Sequence, residues 1–142
     1  MTNSIIRGIA RKIGDICPGW PVHDWDTPQD LNPPAFNVRL IQGTTKPHIG
    51  GTWERRDLLE IVFFPPSGMN LDEIYDIFSD LSRGIQCVED PVTGERYRGY
   101  GLNGAVSDGV LVITVTYLYY IKELTETAPP MEVLDYEPEV EP

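Results

Sequence analysis

The residues best suited to chemistry are few: two histidines, His23 and His48, and two cysteines, Cys17 and Cys87, in a chain of 142 residues. His23 and Asp24, with Asp26 close behind, form a cluster that could begin a metal site or an acid–base pair. A metal site needs three or four converging ligands, usually from more than one segment. The other histidine, His48, stands between Pro47 and the Gly50-Gly51 pair in what reads as a loop. The cluster therefore reads as a polar loop, and no metal is expected. Nucleophilic catalysis needs a nucleophile, a base and an orienting group. The chain has no GxSxG, no cysteine matched to a histidine, and no carboxylate pair inside an apolar run. Gly99, Gly101 and Gly104 in GYGLNG look like a loose GxGxxG, but they lead into another strand where a dinucleotide site requires a helix. Cys17 and Cys87 lack CxxC spacing and read as reduced, half-buried small apolar residues. The expectation is a protein with no catalytic site and no cofactor.

A second group of residues has the chemistry of recognition. Trp53 precedes Arg55 and Arg56, while Arg96, Tyr97, Arg98 and Tyr100 run together further on. Aromatics and arginine are the types enriched at protein interfaces. With His48 in the adjoining loop, these eight positions form a candidate surface for a subunit or partner. A solvated strand face with half-buried aromatics is the other reading.

Charge narrows the partners. The net charge is −11, from 22 acids and 11 bases. Residues 128–142 hold five acids (Glu132, Asp135, Glu137, Glu139, Glu141) and no base, which leaves −6 on residues 1–127. A general nucleic-acid binder needs a basic stripe. This balance favours solubility and repulsion from anionic polymers.

The elements that would position these residues are legible from periodicity. Ile5, Ile9, Ile13 and Ile16 predict an amphipathic helix over 3–16, capped by Thr2 or Asn3 and ended by Pro18-Gly19. Arg7, Arg11, Lys12 and Asp15 interrupt its apolar residues, so no secretory signal is expected. Nor does any apolar run approach the ~20 residues of a membrane span. A short strand is expected near 22–24, then a half-buried strand over 35–42 and a loop or ragged hairpin end over 43–51. A strand over 53–64 is polar at its start and apolar at its end, and Pro65-Pro66 stops it. Asn70 and Glu73 open a helix over 70–85 in capping-box fashion, with Leu71, Ile74, Ile77, Phe78, Leu81 and Ile85 as its stripe. Residues 90–94 form a turn, 95–103 a weakly alternating strand, and Ser107-Asp108-Gly109 a hairpin turn. The run over 110–121 is almost wholly β-branched and aromatic, the makeup of a central strand. The fold class is α+β: a mixed or antiparallel sheet of about four to five strands with two amphipathic helices packed on one face. Residues 1–127 are expected to form one domain, and 128–142 an acidic, Pro/Glu-rich tail that is largely extended or disordered.

Taken in order, the isoleucine-rich helix, the alternating Pro34, Phe36, Val38 and Leu40, the IVFFP strand end, the Asn70–Glu73 helix start and DGVLVITVTY form a pattern. It resembles the tail terminator (tail-completion) proteins of long-tailed bacteriophages, over about residues 3–125. The resemblance implies a structural virion protein that forms a hexameric ring on the head-proximal end of the tail tube. Such a ring ends tube polymerisation and offers a surface to the head connector. The implied partners are further copies of the chain, the tail tube protein, the head–tail connector and, in a contractile tail, the sheath protein. DNA would pass through the ring without specific binding, and assembly would take place in the host cytoplasm. Two other classes stay open: another small head–tail connector, adaptor or tube-like subunit, and an enzyme on the same fold.

Overall fold

The computed structural model describes residues 1–23 and 32–122. Their elements are α1 (Thr2–Ile16), β1 (Val22–His23), β2 (Ala35–Pro47), β3 (Thr52–Phe64), α2 (Leu71–Gly84), β4 (Cys87–Glu89), β5 (Arg96–Ser107) and β6 (Val110–Lys122). The strands form one curled, mixed sheet in the order β1-β2-β3-β6-β5-β4, parallel only between β1 and β2. The α+β class stands, with six strands where about four to five were expected. The additional strand is β4, three residues long and too short to show alternation.

Both helices lie on the same face of the sheet. Register builds that face row by row: Phe36 opposite Phe63 and Leu111, Val38 opposite Ile61 and Ile113, Leu40 opposite Leu59 and Val115. Ile5, Ile9 and Ile13 of α1, with Ile74, Leu81 and Ile85 at α2, complete the core against these rows. Trp20 closes one end by stacking on Phe63 with ring centroids 5.4 Å apart, and Phe63 stacks on Phe36 at 4.7 Å. Close packing also explains two glycines. A Cβ on Gly8 of α1 would lie 3.1 Å from Val88 of β4, and one on Gly104 would lie 2.3 Å from the Phe78 ring.

Local chemistry sets the helix ends. Asn70 caps α2: its side chain accepts from the Glu73 N–H at 2.9 Å, and Glu73 accepts from the Asn70 N–H at 3.0 Å. Helix α1 differs from expectation, because neither Thr2 nor Asn3 caps it; Met1 holds that position without a side-chain bond. The Thr2 hydroxyl is engaged elsewhere, donating to Asp57 across the fold.

Two bulges account for strands that read poorly. In β2 the pairing shifts between Leu40 and Gln42, after which the strand continues to Pro47. Residues 43–47, expected as a loop or ragged hairpin end, are therefore paired strand, and the turn is confined to 48–51. In β5 the pairing shifts between Tyr100 and Asn103, with Gly101 at φ 65°. An extra residue reverses the inward parity, so Tyr97 and Gly99 face the helices before the bulge while Gly104 and Val106 face them after it. The Asp108-Gly109 turn has φ of 53° and 76°, the positive pair of a two-residue hairpin.

Candidate interaction surface

The ionisable residues gather on opposite faces of the same end of the sheet. On the helix side, Asp57 is fully buried and accepts from Thr2 Oγ1 at 2.7 Å, Arg55 Nε at 2.9 Å and Tyr119 OH at 2.9 Å. Arg55 also donates to Thr2 Oγ1 at 3.1 Å. Gly43 makes room for this pair, since a Cβ there would lie 3.0 Å from the Arg55 guanidinium. Asp90 is buried as well and takes both Arg7 donors, Nε at 2.9 Å and NH2 at 2.6 Å, together with Ser4 Oγ at 2.6 Å. Its remaining partners, the Val92 N–H and the Thr93 hydroxyl, hold the 90–94 turn. The Arg7 hydrogen bond keeps the Asp90 carboxyl well below the usual carboxylate range. Tyr97 donates to Glu95 at 3.0 Å and meets Tyr119 edge-on at 5.3 Å. Burial, then the hydrogen bond to Asp57, pushes the Tyr119 hydroxyl up to about 12.

This network surrounds the first turn of α1, which has no acidic residue of its own. Asp57 and Asp90, brought by β3 and by the turn after β4, bond to Thr2 and Ser4 there and supply the negative charge that a helix N-terminus favours.

The opposite face carries a smaller, exposed cluster. Glu54 accepts from Arg56 Nε at 2.8 Å and lies 3.2 Å from His48 Nε2; Arg56 also donates to Tyr100 OH at 3.0 Å. The Arg56 hydrogen bond lowers the Glu54 pKa below its ordinary value. The His48 ring meets Tyr120 edge-on at 6.1 Å, and its backbone N–H closes the hairpin by donating to Thr52 O at 2.7 Å. Tyr120 and Tyr100 remain 59% and 42% exposed.

The eight candidate residues thus divide. His48, Arg56 and Tyr100 come together on the exposed face. Arg98 shares the outward parity of Tyr100, and Arg96 pairs with Glu89 at 3.2 Å beside it. Arg55 and Tyr97 belong to the helix-side network, and Trp53 shares the parity of Arg55. Adjacent residues of a strand point to opposite faces, so Arg55 and Arg56 cannot serve one surface. Sequence reasoning missed Asp57, Asp90, Glu54, Tyr119 and Tyr120. Tyr119 and Tyr120 lay within the β6 run, but nothing local marked Asp57 or Asp90 as buried. Of the His23 cluster, Asp24 and Asp26 lie outside the described residues. Among the described residues, no three or more His, Cys, Asp or Glu side chains are grouped to hold a metal ion. Cys17 is buried and Cys87 exposed, and both are free thiols.

The sheet is thus covered on one face, its buried carboxylates hold α1 in place, and Arg56, Tyr100 and Tyr120 lie exposed at one rim. The chain belongs to the phage tail terminator family: the sequence profile of the phage tail terminator proteins matches residues 4–129. The resemblance carried by the helix and strand order is borne out, and the protein has a structural role in the tail of the virion. A search of curated proteins finds none that matches. Among the described residues, no helix is long and apolar enough to cross a membrane.

Proposed function

We propose that the protein caps the head-proximal end of the tail tube as a hexameric ring, ends tube polymerisation and presents the surface that joins the head connector. The family match over residues 4–129 is the observation that carries this reading. It takes residues 1–127 as the working domain and assigns no enzymatic activity. The architecture supports it in two places. Strand β1 pairs with β2 only at Phe36 and Asn37, so among the described residues 38–47 form an open sheet edge. Ile41 and Ile49 are exposed along that hairpin, Ile49 completely. A bulge, Lys46 and Pro47 protect the edge from indiscriminate pairing, as expected where pairing must be reserved for a chosen neighbour. Next to it, His48, Arg56, Arg98 and Tyr100 on the exposed face supply the polar, aromatic part of the contact to a subunit or the tube protein.

Deleting the gene and imaging the particles by electron microscopy tests the proposal. The expected outcome is unjoined heads with tail tubes of uncontrolled length. Head-attached tails of normal length would refute it. Short, regular tails that merely lack heads would assign the protein to the connector instead.

A further inference from the structure

Exposed charge is sorted by face in this chain. On the side of the sheet away from the helices, register sets Lys46, Glu54 and Tyr120 in one row, with Arg56 in the row before and Lys122 in the row beyond. Arg98 and Tyr100 of β5 share that face. Arg56 already neutralises Glu54. Lys46, Arg98 and Lys122 are exposed and have no ion-pair partner among the described residues. The rim therefore carries three uncompensated cations beside two exposed tyrosines, in a stretch, 1–127, whose net charge is −6.

Helix α2, on the other side of the sheet, has the opposite character. Leu71 and Tyr75 lie one turn apart and are each 49% exposed. Asp72 and Asp76 form the next ridge, exposed and without a cation among the described residues, so the two repel each other. Acids alone would be content in water. Two large apolar side chains beside them mark a surface that another protein covers.

We propose that subunits of the ring join head to tail, the basic, aromatic rim of one copy seating on the acidic, apolar side of α2 in the next. The inference rests on the ring reading above and adds which two surfaces meet. Charge complementarity selects a second copy as the occupant, since each patch supplies what the other lacks. Placement selects the symmetry. The patches lie on opposite faces of the sheet, so two copies cannot make both contacts with each other at once. Each contact leaves one patch open for a further copy, and such a chain of contacts ends only by closing into a ring.

Charge exchange tests the pairing. Phage lacking the gene is supplied with Lys46→Glu/Arg98→Glu, with Asp72→Lys/Asp76→Lys, or with both variants together, and infectious particles are counted. Either variant alone sets like charges against each other at every contact and should lower the titre ~100-fold or more. Supplied together they can alternate around the ring with every contact complementary, and the titre should return to within ~10-fold of wild type. Misfolded chains could not restore one another, so the rescue also controls for folding. Normal assembly by either variant alone would overturn the proposal, and so would failure of the pair to rescue. Both results would leave the terminator reading standing, because that reading falls only if the deletion itself yields head-attached tails of normal length.

Discussion

Arg55 and Arg56 are neighbours in sequence with opposite work in the structure, and replacing each by methionine separates the two roles. Arg55 is 23% exposed and is the charge partner of the fully buried Asp57. Removing one member of a buried pair costs about 3–5 kcal/mol when the other charge is left alone. Asp57 keeps its bonds from Thr2 and Tyr119, and Arg55 is not wholly buried, so a loss of ~2 kcal/mol is expected for Arg55→Met. For a domain of this size that is a fall in Tm of ~6–10 °C. Arg56 is 51% exposed and pairs with Glu54 at the surface, where ion pairs contribute little. Arg56→Met should keep Tm within ~2 °C of wild type. Thermal melts by circular dichroism, with calorimetry to verify two-state behaviour, measure both. Equal destabilisation by the two substitutions, or none by Arg55→Met, would refute the assignment of Asp57 as the buried anchor of α1.

Three further outcomes follow from the same geometry. Gly104→Ala should destabilise by ~1–3 kcal/mol through the clash with Phe78, whereas Gly14→Ala, whose Cβ would meet nothing within 4 Å, should stabilise by up to ~1 kcal/mol; denaturant titrations read both. Because the folded pKa of Asp90 is depressed, its stabilisation is complete above the unfolded value of ~3.9 and is lost as pH falls through the folded value. Tyr119 acts in the opposite sense, its contribution present below the unfolded value of ~10 and lost as pH rises toward 12. Stability against pH should therefore fall at both ends, with the acid limb flattened in Asp90→Asn and the alkaline limb in Tyr119→Phe. Duplex DNA should not bind the isolated protein at physiological salt, given a net charge of −11, and a mobility-shift titration showing salt-sensitive micromolar binding would contradict the expectation that DNA passes the proposed ring without specific binding.

Much of the fold was legible where local signals and burial agree. Ile5, Ile9 and Ile13 are spaced for a helix and all three are fully buried. Asn70 and Glu73 form their reciprocal cap, and the β-branched run of β6 sits at the centre of the sheet. Legibility failed where parity was broken. The bulges at Ile41 and at Gly101–Leu102 each insert a residue, so a strict alternation rule ends β2 early and finds β5 weak. It failed again for Asp57 and Asp90, since their burial depends on partners remote in sequence as well as on near ones: Thr2 lies 55 positions from Asp57 and Arg7 lies 83 from Asp90. The candidate surface was only partly readable for the same reason. Residue type singled out Arg55, Arg56, Tyr97 and Tyr100, but the face each occupies depends on register, which composition does not reveal. Leu71 illustrates the converse: it falls on the apolar stripe of α2 by spacing, yet lies 49% exposed at the helix start.

The most direct test of the proposed role is to locate the protein in the finished particle. Cryo-electron microscopy of intact virions, with the chain fitted into density along the whole tail, reads its position and copy number together. The terminator account predicts a single six-fold ring at the head-proximal end of the tube and none elsewhere. Density repeating along the tube, or confined to the distal tip, would contradict it.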